Sequence, residues 1–236
     1  IMKFSIIIPA LNEAKYIEAS VQALLNQDVP RKDFEIIVVD NGSKDKTKET
    51  AKKAGADIVV TEKTKGTNIA RQKGVEASAG NILVFLDADC IPPPDWLRKI
   101  EKLLKREDIA AVSGPYDYGF RGLKFLLAKF YEYVLMVHLD TTFYILFGRR
   151  AGQIMGGNFA ASRKTIEKIG GLPPLAFYGD DSTTAMLIAR NVGRVLFTKD
   201  IEIKSSARRF EKRGLLKTTA RYAYHYIKAF FSVPGK

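Results

Sequence analysis

Two aspartates one residue apart, Asp87 and Asp89, follow directly on the apolar run 82–86. At the mouth of a buried strand both carboxylates can face one crevice and offer oxygen to a hard cation, Mg²⁺ or Mn²⁺, which binds carboxylates together with a substrate's phosphates. Such a pair is a device for holding a diphosphate. Read alone, Asp-x-Asp ahead of Pro92-Pro93-Pro94 is better explained as turn chemistry, and its place at a strand end is what reverses the balance toward the metal reading. The same edge pattern recurs: run 4–8 leads into Pro9-Ala10-Leu11-Asn12-Glu13, and run 35–39 into Asp40-Asn41-Gly42-Ser43. Open α/β sheets bind ligands at the carboxyl ends of their strands, so these segments read as one set. Asp40 by itself is also turn chemistry, with Ser43 or Asp45 as a helix cap.

The elements that must position these groups are legible in the first hundred residues. Runs 4–8, 35–39, 58–60 and 82–86 are short, β-branched and almost continuously apolar, the mark of parallel strands buried on both faces. Segments 13–26, 46–54 and 68–78 between them read as helices, the last two stopped by Gly55 and Gly80. The series is βαβ and predicts an open sheet covered by helices. Composition shifts near residue 114, dividing the chain into 1–113, which reads as a nucleotide-type platform, and 114–236, which reads as the half that shapes a substrate and ends in a basic segment, within one continuous domain. Beyond the shift come an apolar, aromatic stretch at 123–147, a Gly156-Gly157-Asn158 turn, a helix over 183–191 and a strand over 195–198.

Composition bounds the rest. The chain has 236 residues, 46% hydrophobic and 27% charged, an ordinary globular balance that excludes disorder and stapled mini-scaffolds. One cysteine, Cys90, permits no internal disulfide and no Cys-rich zinc site, and reads as a small buried residue. Net charge is +12, and segment 204–228 carries eight basic residues against one acid. That tail also holds Tyr222, Tyr224 and Tyr226, with Phe230 and Phe231 just beyond it. Basic residues among aromatics suit membrane interfaces and nucleic-acid surfaces; a solvated helix with its aromatics inward is the plain alternative. Lys3 leads at once into a strand-like run rather than a secretory leader, so the expected localisation is cytoplasmic, with peripheral contact at the inner face of the cell membrane.

Jointly, Ser5-Ile6-Ile7-Ile8-Pro9-Ala10-Leu11-Asn12-Glu13, the stretch from Glu35 through Asp40-Asn41-Gly42-Ser43 to Thr47, Ala70-Arg71-Gln72-Lys73-Gly74 and Phe85-Leu86-Asp87-Ala88-Asp89 resemble glycosyltransferase family 2. The resemblance implies a GT-A fold, a three-layer α/β/α arrangement on a mostly parallel central sheet. It implies that the backbone at Pro9 and Ala10, with Asn12, Glu13 and the Asp40 carboxylate, holds a nucleotide, with Arg71 nearby. Asp87 would approach the ribose and Asp89 would ligate the metal. The cation, Mg²⁺ or Mn²⁺, would bridge the phosphates of a UDP- or GDP-sugar. Residue by residue, Arg71 lies on a helix, where an arginine is commonly just solvated.

The second half then needs a base for an acceptor hydroxyl. Asp180 and Asp181 open a helix, where simple capping would stabilise it by roughly 1 kcal/mol. Family 2 enzymes commonly place a Glu-Asp pair here; the resemblance puts Asp180 at the Glu and Asp181 at the inverting general base, with Asp180 as the fallback because Thr183 stands where the family often has a further acid. Gly156-Gly157-Asn158 resembles the family's turn below the sugar, so Gly157 and Asn158 join the donor site. The Gln-x-x-Arg-Trp signature of processive synthases is absent, which points to transfer of one sugar. Arg208 and Arg209 could reach the leaving diphosphate. His138 and His225 receive no role.

If 123–137 is helical, Leu123, Leu127, Phe130, Val134 and Val137 form one stripe, and the interspersed charges exclude a spanning helix. Burial against the domain is the expected use of that stripe; an interfacial helix feeding a lipid-linked acceptor is the alternative. Two other functions stand beside the transferase. A nucleotidyltransferase would want a Gly-rich basic loop where 9–13 stands. A nucleic-acid-binding module would leave the carboxylates unexplained, since without metal they repel phosphate, so no nucleic-acid partner is expected.

Overall fold

All seven residues of Phe34–Asp40 and six of seven in Phe4–Ala10 are buried, as two-sided burial of parallel strands demands. The computed structural model describes residues 3–130, 137–175 and 179–234. Its strands β1 (Phe4–Ala10), β2 (Phe34–Asp40), β3 (Ile58–Thr61) and β4 (Ile82–Leu86) run parallel in the order β3-β2-β1-β4. Three strands extend this sheet to seven: β6 (Ile109–Ser113), β8 (Asn158–Ser162) and β9 (Arg194–Phe197), in the order β4-β8-β6-β9. β8 is antiparallel to both neighbours. A second, three-stranded sheet joins β5 (Cys90–Ile91), β10 (Ile203–Ser205) and β7 (Tyr116–Asp117), with β10 in the middle.

Alternation along each strand builds a core on each face of the sheet. Ile6, Ile8 and Val38 pack with α1 (Ile17–Leu25), α2 (Thr47–Lys53) and α4 (Trp96–Leu104), Trp96 being fully buried. Ile7, Ile37, Val39 and Phe85 face α3 (Thr67–Glu76), α7 (Arg163–Lys168) and α8 (Asp180–Asn191). Phe85 stacks on Phe159 across the β4–β8 pair at 4.3 Å. The result is three layers, α/β/α.

The chain departs from its sequence pattern in three places. The predicted helix 13–26 begins only at Ile17, because the backbone N–H groups of Glu13 and Ala14 donate to Thr47 Oγ1 and Asp45 Oδ2 instead of opening a helix. β6 and β8 carry no strong strand pattern, and pairing makes them. The third departure is the apolar stripe. Its described part lies in α5 (Gly122–Lys129) and at Phe130, where Leu127 is 44% and Phe130 53% exposed, so these two are not buried against the domain as expected. Val134, like the rest of 131–136, lies outside the described residues, as do the side chains of Leu123 and Val137. Among described residues no helix is long and apolar enough to cross a membrane. The C-terminal helices α6 (Val137–Phe147), α9 (Arg208–Arg213) and α10 (Leu215–Ser232) complete the chain. Phe143, Tyr226 and Phe230 of α6 and α10 pack with Met186 of α8 in a separate cluster.

Candidate active site

β1, β2 and β4 end at one edge of the sheet, and β8 enters there from the opposite direction, with Leu86 of β4 paired to Asn158 of β8. That antiparallel insertion sets Gly156-Gly157 directly against the strand end that carries Asp87. A Cβ on Gly157 would lie 2.2 Å from Asp87 Cγ, and one on Gly156 would lie 2.1 Å from Asp181 Oδ1 and 2.6 Å from Arg71 Nη2. Gly156→Ala is therefore expected to push the Asp181 carboxylate aside. Destabilisation by about 1–3 kcal/mol in denaturant melts, together with loss of activity, is the expected outcome; an unchanged melt would show that the turn yields freely.

Above this edge lies a cleft of about 740 Å³, within the range of small-molecule sites. Pro9, Ala10, Glu13, Arg71, Asp87 and Asp89 line it from the first half, and Gly156, Asp180 and Asp181 from the second. Four other residues singled out in the sequence do not line it. Asp40 Oδ1 accepts from the Ser43 N–H at 3.1 Å and shapes the loop after β2, while Asn12, with φ 57°, exchanges hydrogen bonds with Ser43 and Lys44 and locks the loop after β1 to it. Gly157 donates its N–H to Tyr116 Oη at 2.9 Å. Asn158 is fully buried beneath the floor; its Nδ2 donates to the carbonyls of Pro115 and Ile201, and its Oδ1 accepts from Trp96 Nε1. Asp45, not Ser43, serves the start of α2, accepting from the Thr47 N–H at 3.0 Å.

Arg71 organises the cleft. It is 2% exposed on α3, and its guanidinium reaches Asp87 at 3.0 Å, Asp181 at 3.1 Å and Asp180 at 3.4 Å. The solvated reading of this helical arginine thus fails: its helix packs on β1 and faces inward. Burial alone would lower its pKa, but Asp181, Asp87 and Asp180 outweigh that and raise it, so it stays charged. Asp181 Oδ2 also accepts the Gly156 N–H at 3.0 Å. Desolvation and the neighbouring Asp180 carboxylate push the Asp181 carboxyl up to about 7, against the pull of Arg71. Desolvation likewise raises Asp180. A carboxyl poised near neutrality in a cleft has the properties of a proton acceptor.

On the opposite side, burial and the nearby Asp87 charge push Asp89 up to about 6, Arg208 opposing them. Arg208 Nε sits 3.0 Å from Asp89 Oδ2, and its Nη2 donates to Glu13 Oε1 at 2.5 Å. Glu13 Oε2 is buried and has no hydrogen-bond partner among the described residues. Asp89 and Glu13 are thus oxygen donors with spare capacity, already holding a cation in the form of a guanidinium. Among the described residues no group of three or more potential ligands is gathered to cage a metal. A partial all-oxygen shell suits Mg²⁺ or Mn²⁺, which leave positions for substrate phosphates, so the residues present fit such an ion.

The sequence did not single out Tyr116 or Thr219, and it named Tyr222, His225 and Tyr226 without placing them at the cleft, where α10 supplies them as a wall. The tail's mixture of basic and aromatic residues marked that segment without distinguishing which side chains face inward.

The sheet order, its antiparallel strand and the acidic cleft define a GT-A glycosyltransferase domain. The chain belongs to glycosyl transferase family 2, whose model matches residues 5–170. Among curated proteins it is 36% identical over 121 residues to the glycosyltransferase AglE of Haloferax volcanii, covering 49% of this chain and 40% of that one. It is 30% identical over 122 residues to the dolichol-phosphate mannosyltransferase of Pyrococcus furiosus, covering 50% and 34%. These matches span less than half of either relative. Among solved structures, a mannosyltransferase from Pyrobaculum calidifontis in complex with GDP-Man and Mn²⁺ superposes with a TM-score of 0.75 at 26% identity, covering 99% of this chain and 65% of the other.

Proposed function

We propose that this domain moves a single sugar from a nucleotide-diphospho sugar, UDP- or GDP-linked, to an acceptor hydroxyl, with inversion at the anomeric carbon. The observation that carries the reading is the convergence on one buried guanidinium, Arg71, of Asp87 from a strand end and Asp180 and Asp181 from a helix N-terminus. It ties a donor-side carboxylate to a proton acceptor across a single cleft.

In this reading 1–113 holds the donor and 114–236 shapes the acceptor side. The nucleotide lies along Pro9, Ala10 and Glu13, with Asn12 and Asp40 bracing the loops behind them and Asp87 toward the ribose. Gly156 forms the floor under the sugar, with Gly157 and the buried Asn158 supporting it from beneath, and the absence of side chains on the two glycines lets the donor approach backbone. Asp89 holds Mg²⁺ or Mn²⁺, which when bound supplies positive charge to the diphosphate. Asp181 accepts the proton of the acceptor hydroxyl as that oxygen forms a bond to the anomeric carbon; the bond from that carbon to the diphosphate oxygen breaks and the nucleoside diphosphate leaves with the electron pair. Attack from the face opposite the leaving group inverts the centre. Asp180, more deeply buried than Asp181, keeps Arg71 in place and is the second candidate for the base.

The acceptor in this proposal is lipid-linked or a glycan. Support for a lipid comes from the named dolichol-phosphate relative and from apolar side chains left exposed on three helices, Leu126 on α5, Ile145 and Leu146 on α6, and Phe231 on α10 just beyond the basic segment. Such a surface suits peripheral contact at the inner membrane face.

Donor binding provides the test. Thermal shift with GDP-mannose and UDP-sugars, with and without Mn²⁺, should show a metal-dependent rise in the wild type. Asp89→Asn should weaken that metal-dependent binding by at least about tenfold, since even residues behind metal ligands carry effects of that size. A wild-type protein that no nucleotide sugar stabilises would overturn the reading.

A further inference from the structure

Arg208 makes a contact that the proposed reaction does not use. β10 pairs antiparallel with β5, Ser205 opposite Cys90. That register lays the residues after β10 beside the residue before β5, so Arg208, at the start of α9, arrives over Asp89. Its guanidinium spans two carboxylates, Asp89 at 3.0 Å and Glu13 at 2.5 Å, and lies 4.7 Å from the centre of the Tyr16 ring. Asp89 and Glu13 side chains are each only 14% exposed, so this is a largely desolvated, charge-assisted contact rather than a surface pair. Arg208 itself is about one-third exposed and faces the cleft.

We propose that Arg208 is a latch that occupies the Asp89 carboxylate in place of the divalent ion, so that the ion binds well only when a nucleoside diphosphate arrives with it and draws Arg208 away. The inference rests on the reading of Asp89 as the metal-holding residue. Two cations cannot share the same carboxylate oxygen at short range without strong repulsion, so the guanidinium must leave Asp89 Oδ2 before a metal can take it. A diphosphate gives it somewhere to go, because Arg208 stands at the mouth of the cleft on a short helix and phosphate offers the planar fork a bidentate partner. Gly214, at φ 78° between α9 and α10, is a backbone position that can absorb the change in direction when α9 moves. The latch therefore couples two ligands: metal alone is resisted, while metal with diphosphate is welcomed.

The size of the effect follows from population. A contact closed nine-tenths of the time weakens apparent metal affinity about tenfold, since only the open fraction is competent. The test titrates Mn²⁺ into the protein without nucleotide and follows free Mn²⁺ by electron paramagnetic resonance, then repeats the titration with GDP and with UDP. Arg208→Gln should bind Mn²⁺ alone about tenfold more tightly than wild type, and Asp89→Asn added to it should abolish the gain. With the nucleoside diphosphate present the order should reverse, wild type binding the ion at least as well as Arg208→Gln. Arg208→Lys, a point charge that cannot span both carboxylates, should fall between, and thermal melts of each variant establish that it is folded. If Arg208→Gln takes up Mn²⁺ alone no better than wild type while both bind it with nucleotide, the latch is wrong and the role of Asp89 survives. If no folded variant, nor wild type, binds Mn²⁺ under any of these conditions, both fall.

Discussion

Asp181→Asn is expected to lower kcat by about 10²–10⁴-fold, the range associated with a positioned proton acceptor. Donor affinity should remain within about twofold of wild type, because a group acting on the acceptor hydroxyl contributes in the transition state rather than to donor binding. The pH profile adds a sharper signature. With Asp181 pushed up to about 7, mainly by desolvation and Asp180, the wild-type rate should climb tenfold per pH unit below about 7 and level off above it. In the asparagine variant that limb should vanish. Stability carries the opposite sign. The folded value lies above the ordinary 3.8, so the carboxyl favours the native state when protonated, and its contribution declines as pH rises from about 4 to about 7. Asp181→Asn should accordingly show a flatter stability profile across that window. Full turnover by the variant would transfer the role to Asp180, and the same two measurements on Asp180→Asn would then decide.

Arg71→Met should cost about 3–5 kcal/mol of stability at pH 7.5, the scale on which an uncompensated buried charge is left behind. Three carboxylates lose one shared partner: Asp87, Asp180 and Asp181, all within 3.4 Å of its guanidinium. Without it, like charges packed together can be relieved only by taking up protons, so the deficit should shrink as pH falls toward 5. Arg71→Lys should recover only part of the loss, since one ammonium cannot reach three separate carboxylates in a fixed plane. The measurement is a denaturant midpoint across pH; a deficit that is small, or that does not change between pH 5 and 7.5, would mean that Arg71 is not what holds the acidic cluster together.

How much of this was readable from the chain depends on how local the signal is. β1, β2, β3 and β4 coincide with their apolar runs to within two residues at either end, because each strand is buried on both faces and its whole length must be apolar. β8 was not readable. Its sequence, Asn-Phe-Ala-Ala-Ser, is small and mixed, and it becomes a strand only because β4 and β6 leave a slot of the right width between them. α5 illustrates the opposite case, a pattern that was clear but did not predict its environment. Spacing of Leu127 and Phe130 identifies an amphipathic helix, yet no spacing states what covers the stripe, and in this domain both side chains are half-exposed and line the cleft instead of packing into the core.

The candidate site divides along the same line. Which residue types stand at the strand ends, Asp87 and Asp89 after β4 and Asp180 and Asp181 at the start of α8, is written in the sequence, because strand periodicity and helix starts are near-neighbour properties. Tertiary structure alone decided that Arg71 is buried among three carboxylates up to 110 positions away, and that Arg208 crosses 195 positions to rest on Glu13. The electrostatics of a group depend on what surrounds it in space and on how far water is excluded, and neither distance nor desolvation is encoded by local pattern.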